Sequence, residues 1–173
     1  MKLLMSDVPI RALEEAPFRR EENKYVCLSR LKIANCMGCF GCWVKTPGKC
    51  VIRDDAVSVY PLIAGSEEIV YVTEVRYGCY GTVMKTMLER SIPVQKAFIR
   101  LHQGETHHCQ RRVAEKNAAV IAYGSSSEEE RRIFEQLVSR NAKNMLFRSW
   151  RLRFVSREEA ERAALEEVKA WEK

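Results

Sequence analysis

Short apolar runs alternate with helix-like segments along the chain, and this alternation constrains the fold more than any other feature of the sequence. The strand-like runs are Met1–Met5, Tyr25–Ile33, Glu68–Val75, Ala118–Ala122 and Phe147–Val155. Segments with apolar residues at helical spacing separate them. Strands that alternate with helices form a parallel sheet with helices on both faces. The sequence therefore predicts a single α/β domain over residues 1–173.

Capping residues and breakers predict where the helices lie. Asp54-Asp55 precedes a short helix over Ala56–Ala64, and Thr82 starts a helix that ends before Pro93. Ser127 and Glu130 form a capping box at the start of a longer helix. The segment 94–115 is polar, contains all three histidines, and is expected to be an irregular surface loop or a substrate-side loop. In the last strand apolar residues alternate with arginines, which is typical of an edge strand with one solvated face.

Three loops are expected to meet at one edge of this sheet. Parallel α/β sheets bind ligands beyond the carboxyl ends of their strands, where the strand order reverses. The loops Ser6–Arg11, Arg76–Gly81 and Tyr123–Ser127 all follow predicted strands. Glycines permit close backbone approach to a ligand, and tyrosines stack on flat heterocycles. We therefore predict a ligand site at this edge.

Four of the seven cysteines fall within fifteen residues, at Cys36, Cys39, Cys42 and Cys50. Their spacing, C-x2-C-x2-C-x7-C in a loop with glycines, brings thiolates together and is typical of metal or redox chemistry. An iron–sulfur cluster, a zinc ion and a reversible thiol–disulfide pair are all compatible with it. Cysteines that pack and bind nothing are the fourth alternative.

Charge and composition narrow the class of protein. The formal net charge of +6 suits an anionic ligand, although a solvated basic surface explains it equally well. A nucleic-acid partner is not expected, because no motif with interleaved aromatic residues accompanies the charge. There is no apolar run of about 20 residues and no signal-peptide core, so we expect no membrane association. The odd number of cysteines favours a reducing compartment, and we expect a cytoplasmic protein.

Three segments of the chain resemble the flavodoxin-like NAD(P)H-dependent FMN reductases and the related iron–sulfur flavoproteins. They are the cysteine segment Cys36–Asp55, the strand-loop-helix Thr73–Arg90 and the loop Gly104–His108. The resemblance implies a five-stranded flavodoxin-like sheet in the order 2-1-3-4-5, FMN at the switch point, and a homodimer or larger homo-oligomer. It also implies NAD(P)H as electron donor, with hydride passing to the flavin, and a small molecule or a protein as electron acceptor.

The resemblance also implies which residues bind the cofactors. A 4Fe-4S cluster would use the four clustered cysteines. The candidates for FMN binding are Ser6, Arg11, Arg76, Tyr77, Gly78, Cys79, Tyr80, Gly81, Tyr123 and Gly124. The first loop departs from the family, whose loop reads Asn-Gly-Ser-Pro-Arg, because it has no glycine and carries the carboxylate of Asp7. In this loop Arg11 is the candidate cation for the FMN phosphate.

Two functions follow from these observations. The first is an FMN-dependent NAD(P)H oxidoreductase that carries an iron–sulfur cluster for electron transfer. The alternative is a flavodoxin-like protein that has lost FMN and acts as a metal-binding or partner-binding module. No side chain is predicted to act as a catalytic acid or nucleophile, because a flavin would supply that chemistry.

Overall fold

The computed structural model describes residues 1–125 and 127–172, without the side chain of Glu172. The strands are β1 (Lys2–Ser6), β2 (Asn23–Cys27), β3 (Glu68–Arg76), β4 (Cys79–Tyr80), β5 (Gln95–His102), β6 (Glu105–Gln110), β7 (Lys116–Tyr123) and β8 (Phe147–Val155). The helices are α1 (Arg11–Glu15), α2 (Gly41–Val44), α3 (Ala56–Gly65), α4 (Thr82–Glu89), α5 (Glu128–Asn144) and α6 (Ala160–Val168).

Five parallel strands form the central sheet, in the order β2-β1-β3-β7-β8. If these strands alone are numbered along the chain, the order is 2-1-3-4-5, which confirms the predicted topology. β8 pairs only with β7 and lies at the edge, as its alternating sequence predicted. The two-residue β4 pairs antiparallel with the end of β3 and lies off the main path of the sheet.

Each face of the sheet has its own core, because successive side chains of a strand point to opposite faces. On one face Leu3 and Met5 of β1 pack with α3, α4 and α5. On the other face Leu4 packs with α1 and α6, where Ala160 and Ala164 allow close approach to the sheet. The β1–β3 register sets Ser6 opposite Val72, so the first loop starts beside the middle of the central strand.

The segment 94–115 is not an irregular loop, and that prediction was wrong. It forms the hairpin β5–β6, which turns at Gln103 and Gly104 with φ values of 50° and 77°. Two successive positive φ angles are typical of a tight hairpin turn. The sequence hid the strands because most side chains of β5 are exposed and most of those of β6 are half-buried. Its side chains need not alternate between a core and solvent.

The first helix is short, as Pro17 predicted. α1 has five residues, and a groove of about 810 Å³ lies between it and α6. The second strand is also shorter than predicted, because Leu28–Arg30 forms a 3-10 turn. Among the described residues no helix has the length and apolar character needed to cross a membrane.

Candidate functional site

A pocket of about 600 Å³ lies at the carboxyl ends of the central strands, where the strand order reverses. It is lined by Asp7, Val8, Glu74, Arg76, Gly81, Thr82, Val83, Tyr123, Gly124 and Arg157. The lining contains two acidic residues, Asp7 and Glu74, and two arginines. The Arg76 guanidinium pairs with Glu74 at 3.2 Å, and the Arg157 guanidinium lies over the ring of Tyr123, 4.9 Å from its centroid.

The buried carboxylate of Asp7 is the most constrained group in this pocket. It accepts hydrogen bonds from the Tyr123 hydroxyl at 2.8 Å, the Thr73 hydroxyl at 3.1 Å and the Glu74 amide at 2.9 Å. Burial raises the pKa of Asp7, and the nearby charge of Glu74 adds to this, although the three hydrogen bonds oppose it. The result is a buried carboxyl group, held by three hydrogen bonds, in the wall of the pocket.

Several backbone amides of the first loop and of the start of α1 already have partners within the chain. The Val8 amide donates to Ser6 Oγ at 3.2 Å, and the Ile10 amide donates to the Tyr25 hydroxyl at 2.7 Å. The Ala12 amide donates to the Glu161 carboxylate of α6 at 3.0 Å. In related folds such amides bind a phosphate. This loop therefore does not fit the phosphate of FMN.

The predicted flavin-binding residues do not all face one pocket. Four of them, Arg76, Gly81, Tyr123 and Gly124, line the pocket described above. Ser6 is buried beneath the first loop, whereas the side chain of Arg11 is exposed on α1.

The remaining candidates lie in the turn between β3 and β4. Tyr77 is 94% exposed, with a positive φ of 52°, and Gly78 packs on Ile133 of α5. Cys79 is half-buried, and Tyr80 is in the core, edge-on to Phe134. Their part in binding a ligand stays a prediction.

The sequence reasoning missed Glu74 and Arg157 as pocket residues, and it treated Asp7 only as a departure from the family loop. The position of Asp7, directly after the first strand, was enough to place it at the ligand edge. Arg157 follows the last strand in the same way. Its contact with Tyr123 depends on the β7–β8 register, which the sequence does not show.

The four clustered cysteines all line a second cavity, which has a volume of about 40 Å³. The other residues that line it are mostly apolar. They come from the same loop, from the end of α4 and from the segment after it, and are Met37, Gly38, Phe40, Val51, Ile52, Glu89, Arg90, Ile92 and Pro93. Cys39 is exposed, and the other three cysteines are half-buried. The chain thus brings together all four predicted thiols, which lie at its surface around one volume.

Backbone conformation wraps the loop around this cavity. Gly38 and Phe40 have left-handed φ values of 64° and 54°. A Cβ at Gly41 would lie 2.9 Å from Val51 Cγ1 and 3.5 Å from Cys39 Sγ. Position 41 therefore needs glycine, because the backbone passes directly over Val51 and a cysteine sulfur.

A buried ion pair between Arg90 and Asp54 stabilises the cysteine loop. Arg90 is 1% exposed, and its two terminal nitrogens lie 2.6 and 2.8 Å from the Asp54 carboxylate. The same guanidinium donates to the Ala34 carbonyl at 2.7 Å and to Cys50 Sγ at 3.4 Å. Burial raises the pKa of Asp54, but the hydrogen bonds from Arg90 and the Ala34 amide outweigh burial and hold it below its ordinary value.

The thiols of the cavity influence one another electrostatically. Burial raises the pKa of Cys42, and the neighbouring Cys50, Cys36 and Cys39 raise it further. Within residues 1–125 and 127–172 no group of three or more His, Cys, Asp or Glu side chains is arranged to hold a single metal ion.

The two cavities lie at opposite ends of the same helix. Thr82 and Val83 at the start of α4 line the strand-end pocket, and Glu89 and Arg90 at its end line the cysteine cavity. At a rise of 1.5 Å per residue these ends are about 10 Å apart. A rigid element therefore sets the distance between the two sites.

Solved structures identify the architecture. An NAD(P)H:quinone oxidoreductase from Methanothermobacter marburgensis superposes with a TM-score of 0.61, at 11% identity over 98% of this chain and 95% of that one. An FMN-dependent NADH-azoreductase from Bacillus anthracis, solved with FMN, gives 0.57 at 9% identity over 99% and 96%. The fold is flavodoxin-like. At these identities the comparison establishes the fold alone.

A sequence comparison adds one relative. An iron–sulfur flavoprotein from Archaeoglobus fulgidus is 34% identical over 89 residues, which are 51% of this chain and 38% of that protein. The chain therefore matches less than half of that relative's length. No family model matches the chain. The predicted resemblance to iron–sulfur flavoproteins and flavin reductases is confirmed by this relative and by the flavodoxin-like neighbours.

Proposed function

We propose that the protein is an NAD(P)H-dependent flavin oxidoreductase that carries an iron–sulfur cluster on Cys36, Cys39, Cys42 and Cys50. The observation that carries this proposal is the convergence of all four thiols on one cavity. A cubane cluster binds each thiolate through a different iron, so its ligands surround a volume and do not meet at one point. The similarity to an iron–sulfur flavoprotein supports the same assignment.

The surroundings of the cavity fit a cluster that transfers electrons. A bound cluster would accept and release single electrons, at a potential that burial and hydrogen bonds to sulfur set. Arg90 contributes a positive charge and a hydrogen bond to Cys50 Sγ, and Asp54 holds that guanidinium in place. Apolar neighbours such as Ile52 and Ile92 limit the access of water.

The flavin belongs to the pocket at the strand ends. We assign FMN and NAD(P)H because the structural neighbours include an NAD(P)H:quinone oxidoreductase and an FMN-dependent NADH-azoreductase. The pocket supports a flavin ring because it is roomy and offers both hydrogen-bond acceptors and donors, at Glu74, Arg76 and Arg157. The first loop does not fit the phosphate group of FMN.

One preparation tests the proposal. Protein purified without oxygen is examined by absorbance, with iron, sulfide, zinc and flavin assayed on the same sample. We expect about four irons per chain, with matching sulfide. Cys39→Ala is expected to lose most of the iron, whereas Cys109→Ala, in the β5–β6 hairpin, keeps it. Unchanged iron in Cys39→Ala, or one zinc per chain in place of iron, would rule out the proposed cluster.

The first loop favours a second function, in which the chain has lost its flavin and serves as a metal-binding or partner-binding module. Its support is that the Ala12 and Ile10 amides already donate to Glu161 and Tyr25. The same preparation distinguishes the two functions. A protein that contains iron but no flavin, and that takes up neither added FMN nor added riboflavin, would establish the second function.

The charge around the cysteine loop favours an acidic protein as the electron acceptor. Residues 32–53 and 95–112 contain eight lysines and arginines and one acidic residue, Glu105, so their formal charge of +7 exceeds the +6 of the whole chain. In the described part of the chain none of these eight cations forms an ion pair. By contrast, Arg151 and Arg153 of β8 pair with Glu167 and Glu166.

Ionic strength tests this choice of acceptor. The rate of electron transfer to a small acidic redox protein is expected to fall several-fold between low and physiological salt, because salt screens the attraction. Lys45→Glu combined with Lys49→Glu is expected to slow transfer and remove most of this dependence. Lys169→Glu, beyond α6, serves as the control. A rate that does not respond to salt would contradict the proposal.

The proposed homodimer would use the exposed hairpin. Phe98, Ile99 and Leu101 of β5 are 74%, 64% and 79% exposed, which is unusual for large apolar side chains outside an interface. Sedimentation of the native protein and of Leu101→Lys would test this. A monomeric native protein would contradict the homodimer.

A further inference from the structure

A third cavity, of about 370 Å³, lies between α3, the base of the β5–β6 hairpin and the cysteine loop. A volume of this size is typical of sites for small molecules. Among the described residues no Asp or Glu lines it, whereas three cations do, at Lys96, Arg111 and Arg112. None of these three forms an ion pair within the described part of the chain. The cavity therefore presents positive charge that no group of the chain neutralises.

The two larger cavities described above differ from this one in charge. The groove between α1 and α6 contains three glutamates together with its cations. The pocket at the strand ends contains Asp7 and Glu74 together with its two arginines. A cleft lined by one sign of charge concentrates counter-ions from solution, and mixed charges cancel this effect. The cavity beside the cysteine loop is thus the one of the three that suits an anion.

The chain holds Arg111 in a defined position at this cavity. Its Nε donates to the Pro93 carbonyl at 3.2 Å, and its backbone amide donates to the Val94 carbonyl at 2.9 Å. Its side chain passes close to Gly48, where a Cβ would lie 3.3 Å from Arg111 Cδ. No other hydrogen bond of this guanidinium is found among the described residues, so its two terminal amino groups remain for a ligand. Such a guanidinium binds phosphate oxygens in a bidentate manner.

The rest of the cavity is apolar and suits the organic part of a ligand. The lining residues of this kind are Tyr60, Pro61, Ala64, Pro93 and Val94. Tyr60 is only 4% exposed, and its hydroxyl accepts a hydrogen bond from the Cys50 amide at 3.3 Å. Apolar walls with a few charged groups are typical of sites that bind organic molecules. A bare anion would leave these apolar walls uncovered.

We propose that Lys96, Arg111 and Arg112 bind the phosphate groups of a small organic phosphate ester, whose organic part packs on Tyr60 and Pro93. Pro93 also lines the cysteine cavity, so the two cavities share a wall. The ester therefore binds next to the four thiols and away from the pocket at the strand ends. This site goes beyond the proposed function, because it requires neither a flavin nor a cluster.

Calorimetric titrations of the full chain with ADP, pyrophosphate and adenosine, without magnesium, test this inference. The native protein is expected to bind ADP at one site with a Kd below about 1 mM at physiological salt. Pyrophosphate, which lacks the organic part, and adenosine, which lacks the charge, are each expected to bind at least about tenfold more weakly. Arg111→Gln combined with Arg112→Gln is expected to weaken ADP binding by about tenfold or more, since a lost hydrogen bond to a charged group changes affinity by that factor. The control is Arg53→Gln combined with Arg100→Gln, which removes the same charge from exposed positions that do not line the cavity.

Three results would overturn the inference. The first is that the native protein binds no ADP at about 1 mM, a result that needs no variant to fold. The second is that pyrophosphate binds as tightly as ADP, which would show that the apolar walls contact no ligand. The third is that both pairs of substitutions weaken ADP binding equally, which would indicate a diffuse attraction to the basic surface. None of these results affects the cluster, whose iron is measured separately.

Discussion

Gly41 illustrates how a single residue shapes the cysteine cavity. A methyl group at this position would lie 2.9 Å from Val51 Cγ1 and 3.5 Å from Cys39 Sγ. We expect Gly41→Ala to lower the free energy of unfolding by about 1–3 kcal/mol, the usual cost of overpacking, and to lower the iron content. Chemical unfolding and an iron assay measure the two effects.

A second substitution separates steric strain from other causes. Val51→Ala removes the atom that the new methyl group would meet. The double variant Gly41→Ala with Val51→Ala is therefore expected to recover most of the iron content. If the double variant contains as little iron as Gly41→Ala alone, the contact with Val51 is not the reason that position 41 is a glycine.

Lys116 is a buried cation at the start of β7, and its burial lowers the free energy of unfolding. It is fully buried, its Nζ donates to the Ala114 carbonyl at 2.6 Å, and burial lowers its pKa to about 8. Below pH 8 the folded protein must hold the charged form in an unfavourable place. Between pH 8 and about 10.4 the unfolded chain binds a proton that the folded chain does not. The contribution of Lys116 to stability therefore rises with pH across this window.

Replacing this lysine removes the cost. Lys116→Met is expected to raise the free energy of unfolding by about 1–3 kcal/mol at pH 7. Its advantage over the native protein should shrink as the pH approaches 10. Urea unfolding of both proteins at pH 7 and pH 10 provides the comparison. An advantage that is constant with pH would show that charge burial is not the cause.

Among the elements, the β5–β6 hairpin depends on a few side-chain contacts with the rest of the domain. Glu105 forms ion pairs with Arg140 and Lys143 of α5, and the ring of His108 lies 4.8 Å from that of Trp43 in α2. An isolated two-stranded ribbon is at best marginally stable in water. These contacts therefore determine how long the hairpin stays docked.

Removing the charge of Glu105 should loosen the hairpin selectively. Glu105→Gln is expected to speed amide hydrogen exchange in β5 and β6 by about three- to tenfold, because each exposed ion pair contributes up to about 1 kcal/mol. Exchange in β7 should not change. The control is Glu135→Gln, at an exposed position of α5. Equal acceleration in the hairpin and in β7 would indicate a global loss of stability instead.

At the scale of the whole molecule, the cluster and the fold are expected to stabilise each other. The cysteine loop has little regular structure apart from the four-residue α2, and the Arg90–Asp54 pair is one of the contacts that hold it. Removing iron with a chelator should lower stability by about 2 kcal/mol, or about 4–8 °C in Tm. Chelator is expected to leave the Tm of Cys39→Ala unchanged. An equal drop in both proteins would contradict the coupling.

Two features of the whole molecule could be predicted from the sequence by itself. The alternation of apolar runs and helices determined a parallel sheet, because hydrophobic periodicity is local, whereas the order 2-1-3-4-5 was implied by the resemblance to the flavodoxin-like flavin reductases. The cysteine spacing determined which four thiols meet, because a short loop with glycines leaves them few other arrangements.

The tertiary structure alone decided the chemistry around these elements. Glu161 accepts a hydrogen bond from the Ala12 amide of α1 across 149 positions, Arg90 reaches Cys50 across 40 positions, and the hairpin packs on Trp43. Contacts of this kind depend on how helices pack on a sheet, and no local pattern encodes them. The sequence therefore determined where the two sites lie, whereas packing determined that one keeps four thiols beside a cation and that the other surrounds the Asp7 carboxylate with three hydrogen-bond donors.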